Sequence, residues 1–279
     1  MILFYFTFRM CDDPKNDTKY AIIVHGWKET CNSKWAQKYV FLELSKHRGG
    51  CIICMDYRFF SYWPHYFLLA QYTPNIARVL KNKLEKLENK GFDPNNGYIF
   101  GFSLGGRIAL EAGREYGPQK IAEIDTCDMA GPGFDKYKQP DPKKSAQNVQ
   151  CIHTSTDKGT SQRNCHQNWI MGLCGVMQLA ADIAPNGSHG FCPIFYNKAF
   201  ENNFYAEANP RQCGVGKIKR YWPKKFKMGY MEDRKNSVKG MFYASTTRHP
   251  PYCKTETQIK ILEEAALEFW LDGKKYYIN

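Results

Sequence analysis

Residues 98–116 read as a strand, a sharp corner and a helix, and no other stretch restricts the fold as much. Tyr98 to Phe100 is apolar and leads straight into Gly101-Phe102-Ser103-Leu104-Gly105. Beyond it Ile108, Ala109 and Ala112 recur at helical spacing until Gly117-Pro118 ends the pattern. The flanking glycines let the backbone turn where bulkier neighbours would clash, which raises Ser103 at the crest of the corner. A serine hydroxyl placed there is a candidate nucleophile, provided a base takes its proton. The helix behind it would aim its N-terminal amides at the site and favour developing negative charge.

The flanking sequence supplies a sheet for that corner. Tyr-Ala-Ile-Ile-Val within Lys19–Val24 and Cys-Ile-Ile-Cys-Met at Cys51–Met55 are continuous and apolar, as strands buried on both faces must be. Lys120–Ile124 and Val149–Thr154 read as further strands, and so does the opening run Met1–Phe8. Between them, Ile76, Leu80, Leu84 and Leu87 predict a helix from Pro74 to Lys90. Strands alternating with helices predict an α/β fold, a doubly wound and mostly parallel sheet with helices on both faces. Asp157–His189 is rich in Gly, Asn, Ser and Cys and reads as one long irregular excursion, the usual form of a lid or binding loop. Thr255–Leu271 reads as a terminal amphipathic helix, with Thr255 and Gln258 placed for a capping box.

Composition narrows the class. Hydrophobic residues at 43% and charged residues at 24% suit a globular chain of 279 residues rather than a disordered one. No apolar run approaches the roughly 20 residues of a membrane helix. The opening apolar run has no basic stretch before it and no small-residue cleavage site after it. It therefore reads as a strand, where a longer precursor was cut, and not as a signal peptide. Eleven cysteines point to a disulfide-bearing secreted protein with at least one thiol left over. The sequons at Asn16 and Asn186 add little. Net charge is +12, with basic residues dense from Arg211 to Lys239 and Tyr221, Trp222 and Phe226 among them. No nucleic-acid module accompanies them, so the expectation is no nucleic-acid partner. An anionic lipid surface and a plain solvated face remain as readings of that charge. Oligomeric state is not legible.

Other candidate residues fall around Ser103. His25-Gly26-Trp27 ends the first long strand, where a His-Gly loop supplies an oxyanion amide in hydrolases with this kind of serine corner. The Trp27 and Leu104 N–H groups are then the two donors, and His25 is structural. An acid should follow the serine. Asp128, ahead of the turn-forming Ala130-Gly131-Pro132, is the candidate, with Asp125 expected to be a surface or capping residue. The base should come last, from His153, His166, His189 or His249. His153 lies inside a strand, His166 abuts Cys165, and His249 precedes two prolines. His189, in a loop beyond the strand, is the preferred base. Zinc is not expected: Cys165, His166 and Cys174 lack structural-zinc spacing, and Cys51 and Cys54 sit within an apolar strand. No phosphate loop or dinucleotide fingerprint occurs.

Taken in order, these pieces resemble the pancreatic-lipase-type family, which includes secreted insect lipases and venom phospholipases. Ile2–Thr7 is similar to its early Phe-Tyr-Leu-Tyr-Thr strand, His25–Trp27 to its oxyanion loop, and Met55-Asp56-Tyr57 to its Val-Asp-Trp. Gly101–Gly106 resembles Gly-His-Ser-Leu-Gly-Ala, and Asp128–Pro132 resembles Asp-Pro-Ala-Gly-Pro. Ile152-His153-Thr154 and Pro185-Asn186-Gly187 also match. Phe102 and Met129 depart from it. So does His189, which lacks the cysteine and arginine of Cys-Ser-His-x-Arg, although Phe195-Tyr196 then matches the aromatic pair that follows.

The resemblance implies an α/β-hydrolase fold in a single domain over 1–279, without a C-terminal β-sandwich. It implies lipid-ester hydrolysis of the triacylglycerol-lipase or sn-1-phospholipase type with no cofactor, a lipid substrate, and a short lid between His166 and Ala184 of the kind that goes with sn-1 phospholipases. The alternative is a non-catalytic relative that binds lipid or serves as a yolk-type store.

Overall fold

The run Tyr20–Val24 forms β2 at the heart of an eight-stranded sheet in the computed structural model. The structure describes residues 5–9, 11, 17–207, 213 and 223–261. The other strands are β1 (Tyr5–Arg9), β3 (Cys51–Asp56), β4 (Gly97–Phe102), β5 (Glu123–Cys127), β6 (Asn148–His153), β7 (Gln167–Met171) and β8 (Gly240–Ala244). Their order is β1-β3-β2-β4-β5-β6-β7-β8. Only β1 runs antiparallel to its neighbour; every other adjacent pair is parallel.

Alternation along the strands explains why both faces are covered. Ile22, Val24, Ile53 and Ile99 point into a core shared with α3 (Tyr66–Asn89) and α4 (Leu104–Tyr116), through Leu69, Ile76, Leu80 and Ile108. Ala21, Ile23, Ile52 and Phe100 point the other way, against Leu44 of α1 (Phe41–His47) and Phe191 and Phe195 of α5 (Phe191–Lys198). A short α2 (Arg58–Ser61) follows β3. Each fully buried Ile or Phe contributes about 1.5–3 kcal/mol relative to exposure, so a strand apolar on both faces is held from both sides.

Several expectations need correction. The helix predicted from Pro74 begins at Tyr66, with Pro74 inside it. An internal proline forfeits a backbone hydrogen bond at a cost of about 3 kcal/mol. Burial of Leu69, Ala70 and Thr73 in the turns before it favours continuing the helix nonetheless. The segment 157–189 is not one irregular excursion, because Gln167–Met171 forms β7 within it. Its Gln-Asn-Trp-Ile-Met has too many polar residues for an apolar-run signal. The next strand begins and ends three residues later than Lys120–Ile124, and that shift moves Asp125 from a strand end to mid-strand. It is fully buried and accepts hydrogen bonds from the Tyr98 and Tyr196 hydroxyls at 2.8 and 2.7 Å.

The terminal helix is seen over 256–261, with the reciprocal capping box in place: Thr255 N donates to Gln258 Oε1 at 2.9 Å and Gln258 N to Thr255 Oγ1 at 3.2 Å. Its remainder, residues 1–4 of the opening run, Asn16, and most of the basic stretch from Arg211 to Trp222 lie outside the described residues. Of that stretch's described part, Phe226 is buried against Trp169 and Phe242, and Lys235 is buried with Glu123 as its ion-pair partner. Ten cysteines pair as Cys11–Cys51, Cys31–Cys54, Cys127–Cys192, Cys151–Cys165 and Cys174–Cys213, leaving Cys253 free. Cys51 and Cys54 thus serve different bridges on opposite faces of β3. No helix among the described residues is long and apolar enough to cross a membrane.

One close backbone approach lies where α4 meets the end of β2. A Cβ on Gly105 would stand 2.2 Å from the Val24 carbonyl oxygen and 2.5 Å from that of His25. Gly105→Ala is therefore expected to destabilise the fold by about 1–3 kcal/mol or more, read as a lower urea midpoint. An unchanged midpoint would mean that α4 does not pack so closely.

Candidate active site

Ser103 caps the N-terminus of α4 with φ 55° and ψ −121°. A non-glycine residue rarely adopts a positive φ, and holding one costs about 1–3 kcal/mol. The surroundings fix it: Ser103 N donates to the Cys127 carbonyl at 3.0 Å, and its own carbonyl accepts from Ala130 N at 3.1 Å. The corner is thereby tied to the end of β5, where Asp128 begins the next turn.

Asp128 is fully buried, and its N–H donates to the Ile152 carbonyl on β6 at 2.7 Å. Its carboxylate is crowded with donors. Oδ1 accepts from Thr154 N at 2.7 Å and Ser155 N at 3.0 Å, while Oδ2 accepts from Ser155 Oγ at 2.5 Å. The remaining contact of Oδ2 is His189 Nδ1, at 2.7 Å. On the other edge of that imidazole, Nε2 lies 2.9 Å from Ser103 Oγ. With the proton on Nδ1, donated to Asp128, Nε2 is the acceptor for the serine hydroxyl. Such a chain can draw a proton from Ser103 and hold the resulting imidazolium.

His189 itself is 5% exposed, in the turn that leads into α5. Cys127–Cys192 staples α5 to the end of β5, and Phe102 packs on the imidazole with ring centres 4.8 Å apart. Ser188 Oγ accepts from Gln178 N at 2.9 Å, and the buried Gln178 amide donates to the Thr154 and Met171 carbonyls. The loop before the histidine is held by these bonds.

The other sequence candidates fall elsewhere. His25 is buried and stacked on Tyr57 at 4.3 Å. Tyr57 N donates to its Nε2 at 3.3 Å and its Nδ1 faces the Gly26 carbonyl at 3.0 Å, so it joins the ends of β2 and β3. Asp56 lies beside it. Burial opposes ionisation of that carboxyl, but the adjacent His25 ring and hydrogen bonds from the Arg58 guanidinium and backbone N–H outweigh the penalty and hold it below the ordinary range. Trp27 follows at the mouth of the site, its indole N–H donating to the Trp63 carbonyl at 2.9 Å. Leu104 is the first residue of α4, where backbone N–H groups lack intrahelical partners. His153 meets Arg163 Nη1 at 2.9 Å, and His166 Nδ1 accepts from Val149 N at 3.1 Å, beside the Cys151–Cys165 bridge. Neither is near Ser103 in these contacts.

Two neighbours of the site had no signal that set them apart in the sequence. Ser155 shares Asp128 Oδ2 with the imidazole, yet a lone serine after a strand is unremarkable. Glu29, three residues after Gly26, stands in no motif that separates it from other loop acids. It lines the same cleft of about 160 Å³ as Trp27, Tyr66, Phe102, Ser103 and His189. Pro132, Lys158 and Asn186 close its rim.

A mostly parallel sheet with helices on both faces, a serine on a strained strand-to-helix corner, an acid from the end of the next strand and a histidine from a later turn define an α/β hydrolase. A family model described as Lipase matches residues 7–177, and the chain belongs to that family. Pig (Sus scrofa) lipoprotein lipase is 26% identical over 62% of this chain and 35% of its own length. Lipase member H of Danio rerio is 22% identical over 90% of this chain and 60% of its own. The acetyl xylan esterase structure from Aspergillus awamori overlaps 75% of this chain and 80% of that one at 12% identity, with a TM-score of 0.40. The chain thus spans between about a third and three-fifths of these two curated relatives.

Burial pushes the His166 imidazole down to about 4, with Lys239 and Lys143 adding to the effect, and burial also holds His153 well below its ordinary value. Both rings stay neutral in the fold while the unfolded chain binds protons near pH 6.5. The stabilisation is complete above that pH and is lost as pH falls through it toward about 4. The urea midpoint should therefore drop between about pH 7 and about pH 4.5, and His166→Gln should flatten part of the fall. An equal slope in that variant would assign the whole effect to other groups.

Proposed function

We propose that the protein hydrolyses carboxylic esters of lipids through a Ser103–His189–Asp128 triad. The unbroken line from Ser103 Oγ to His189 (2.9 Å) to Asp128 (2.7 Å) carries this reading. Ser103 Oγ bonds to the ester carbonyl carbon while His189 Nε2 takes the hydroxyl proton. The carbonyl oxygen becomes an oxyanion held by the Trp27 and Leu104 amides. Collapse breaks the bond to the leaving oxygen, which takes the proton from His189 and departs as the alcohol. Water then adds to the acyl-serine by the same steps, releases the carboxylic acid and regenerates Ser103. The reaction requires no cofactor.

The surroundings favour a lipid. Trp27, Tyr66, Phe102 and Pro132 give the cleft apolar walls. Phe67 and Leu68 beside Tyr66 are exposed, as are Leu173, Val176, Met177, Leu179 and Ile183 in the segment ahead of His189. Apolar side chains left in water at a site mark an interaction surface, and here a lipid surface is the partner that fits. The segment is short, as in a phospholipase-type lid. Five disulfides fit secretion into an oxidising compartment.

A fluorophosphonate probe should label the protein at Ser103, and Ser103→Ala should abolish labelling. His189→Ala should reduce turnover of a short-chain p-nitrophenyl ester by on the order of 10⁴-fold or more, and Asp128→Asn by somewhat less. Absence of both labelling and turnover in the intact protein would sink the enzymatic reading and leave the non-catalytic lipid binder. Full activity in His189→Ala would move the base elsewhere.

A further inference from the structure

Among the described residues, Glu29 is the one carboxylate in the wall of the cleft, and the reaction steps above do not use it. Both of its oxygens are engaged. Oε2 accepts from the Gly26 backbone N–H at 2.8 Å, and Oε1 accepts from the Trp35 indole N–H at 2.9 Å. Its main chain is also tethered, since Ser61 Oγ donates to the Glu29 carbonyl at 2.8 Å.

These bonds lead to both halves of the site. Gly26 is the residue before Trp27, and it is wedged between Glu29 and the nucleophile. A Cβ built on it would stand 3.1 Å from Glu29 Oε2 and 3.1 Å from Ser103 Cβ. On the other branch, Trp35 packs edge-on against Phe102 with ring centres 5.4 Å apart, and Phe102 in turn packs on His189. The residue at 102 departs from the family's usual histidine, so the ring that backs the imidazole is supported from this side by Trp35.

We propose that Glu29 is a positioning residue for ester hydrolysis, clamping the Gly26–Trp27 peptide as an oxyanion donor and Trp35 as the support of Phe102. This rests on the reading of Ser103 and the Trp27 amide given above. The arrangement suits a carboxylate: two N–H donors converge on it, one at each oxygen, and an amide in the same pose would present an acceptor to only one of them. The placement is costly. Burial raises the Glu29 pKa, against the opposing effect of the Trp35 and Gly26 hydrogen bonds. A loop acid serving only solubility would not be held in that position.

The isosteric variant Glu29→Gln keeps one acceptor and turns an NH2 group toward one of the two donors. Glu29→Ala removes both acceptors. Turnover of a short-chain p-nitrophenyl ester is measured per active site, with sites counted by end-point fluorophosphonate labelling. Loss of one oxyanion donor typically costs 10²–10³-fold in kcat. Accordingly, kcat should fall on the order of 100-fold in Glu29→Ala and about tenfold in Glu29→Gln, with KM within about twofold of wild type. Affinity for a phenylboronic acid, which forms a tetrahedral anion on the serine, should weaken in parallel.

Wild-type kcat per labelled site in both variants overturns the assignment. So does a change confined to KM, or a loss that vanishes once sites are counted. If Glu29→Ala does not fold, Glu29→Gln decides alone by the same kcat and boronate readouts. A wild-type protein that neither labels nor turns over ester removes the Ser103 reading and this one with it. An active wild type beside unimpaired variants removes this one alone.

Discussion

The structure depends on how closely the first turn of α4 approaches the end of β2. Gly105 lies beneath the Val24 and His25 carbonyls with no space for a methyl group. That contact sets the depth of the helix, and the depth determines where Ser103 sits. With α4 displaced outward by one methyl diameter, the crest of the corner would no longer lie beside Gly26 or within 2.9 Å of His189. The strained φ at Ser103 follows from the same geometry, because the chain must reverse between a buried strand and a helix pressed against the sheet.

Around that corner, the site is assembled from the ends of parallel strands. β2 delivers Gly26 and Trp27, β4 delivers Ser103, and β5 delivers Asp128; their neighbouring positions in the sheet bring them to one edge. β6 contributes indirectly, through the amides of Thr154 and Ser155 on the Asp128 carboxylate. His189 belongs to no strand. Its place is set by the Cys127–Cys192 bridge, by Gln178, and by packing on Phe102. Tilted packing on an apolar ring, in place of polar support, suits an imidazole whose polar edges are both committed.

Legibility tracked how local the determining physics is. β2, β3 and α4 could be read directly, because an apolar run or a 3.6-residue period reports burial on its own. Ser103, Asp128 and His189 could be proposed from chain order and resemblance, since each stands in a short segment with turn residues beside it. β7 and β8 were missed: Gln-Asn-Trp-Ile-Met and Gly-Met-Phe-Tyr-Ala are short, and their burial comes from partners distant in sequence. Asp125 was misplaced for a related reason. A three-residue error in the strand boundary separates a solvated end from a buried position between two tyrosines. Strand ends are set by neighbouring strands, which the local pattern does not contain.

By itself, the sequence determined the class of this protein. Glycines around Ser103, apolar strands separated by amphipathic helices, and a later acid and histidine leave few folds that satisfy all of them. The tertiary structure alone decided which histidine faces the serine, which cysteines pair, and that Glu29 lies against Gly26 rather than in solvent. Each of these is a distance between residues far apart in the chain or on different elements. Such distances come from how the sheet twists and how deeply the helices pack, which is a property of the whole fold.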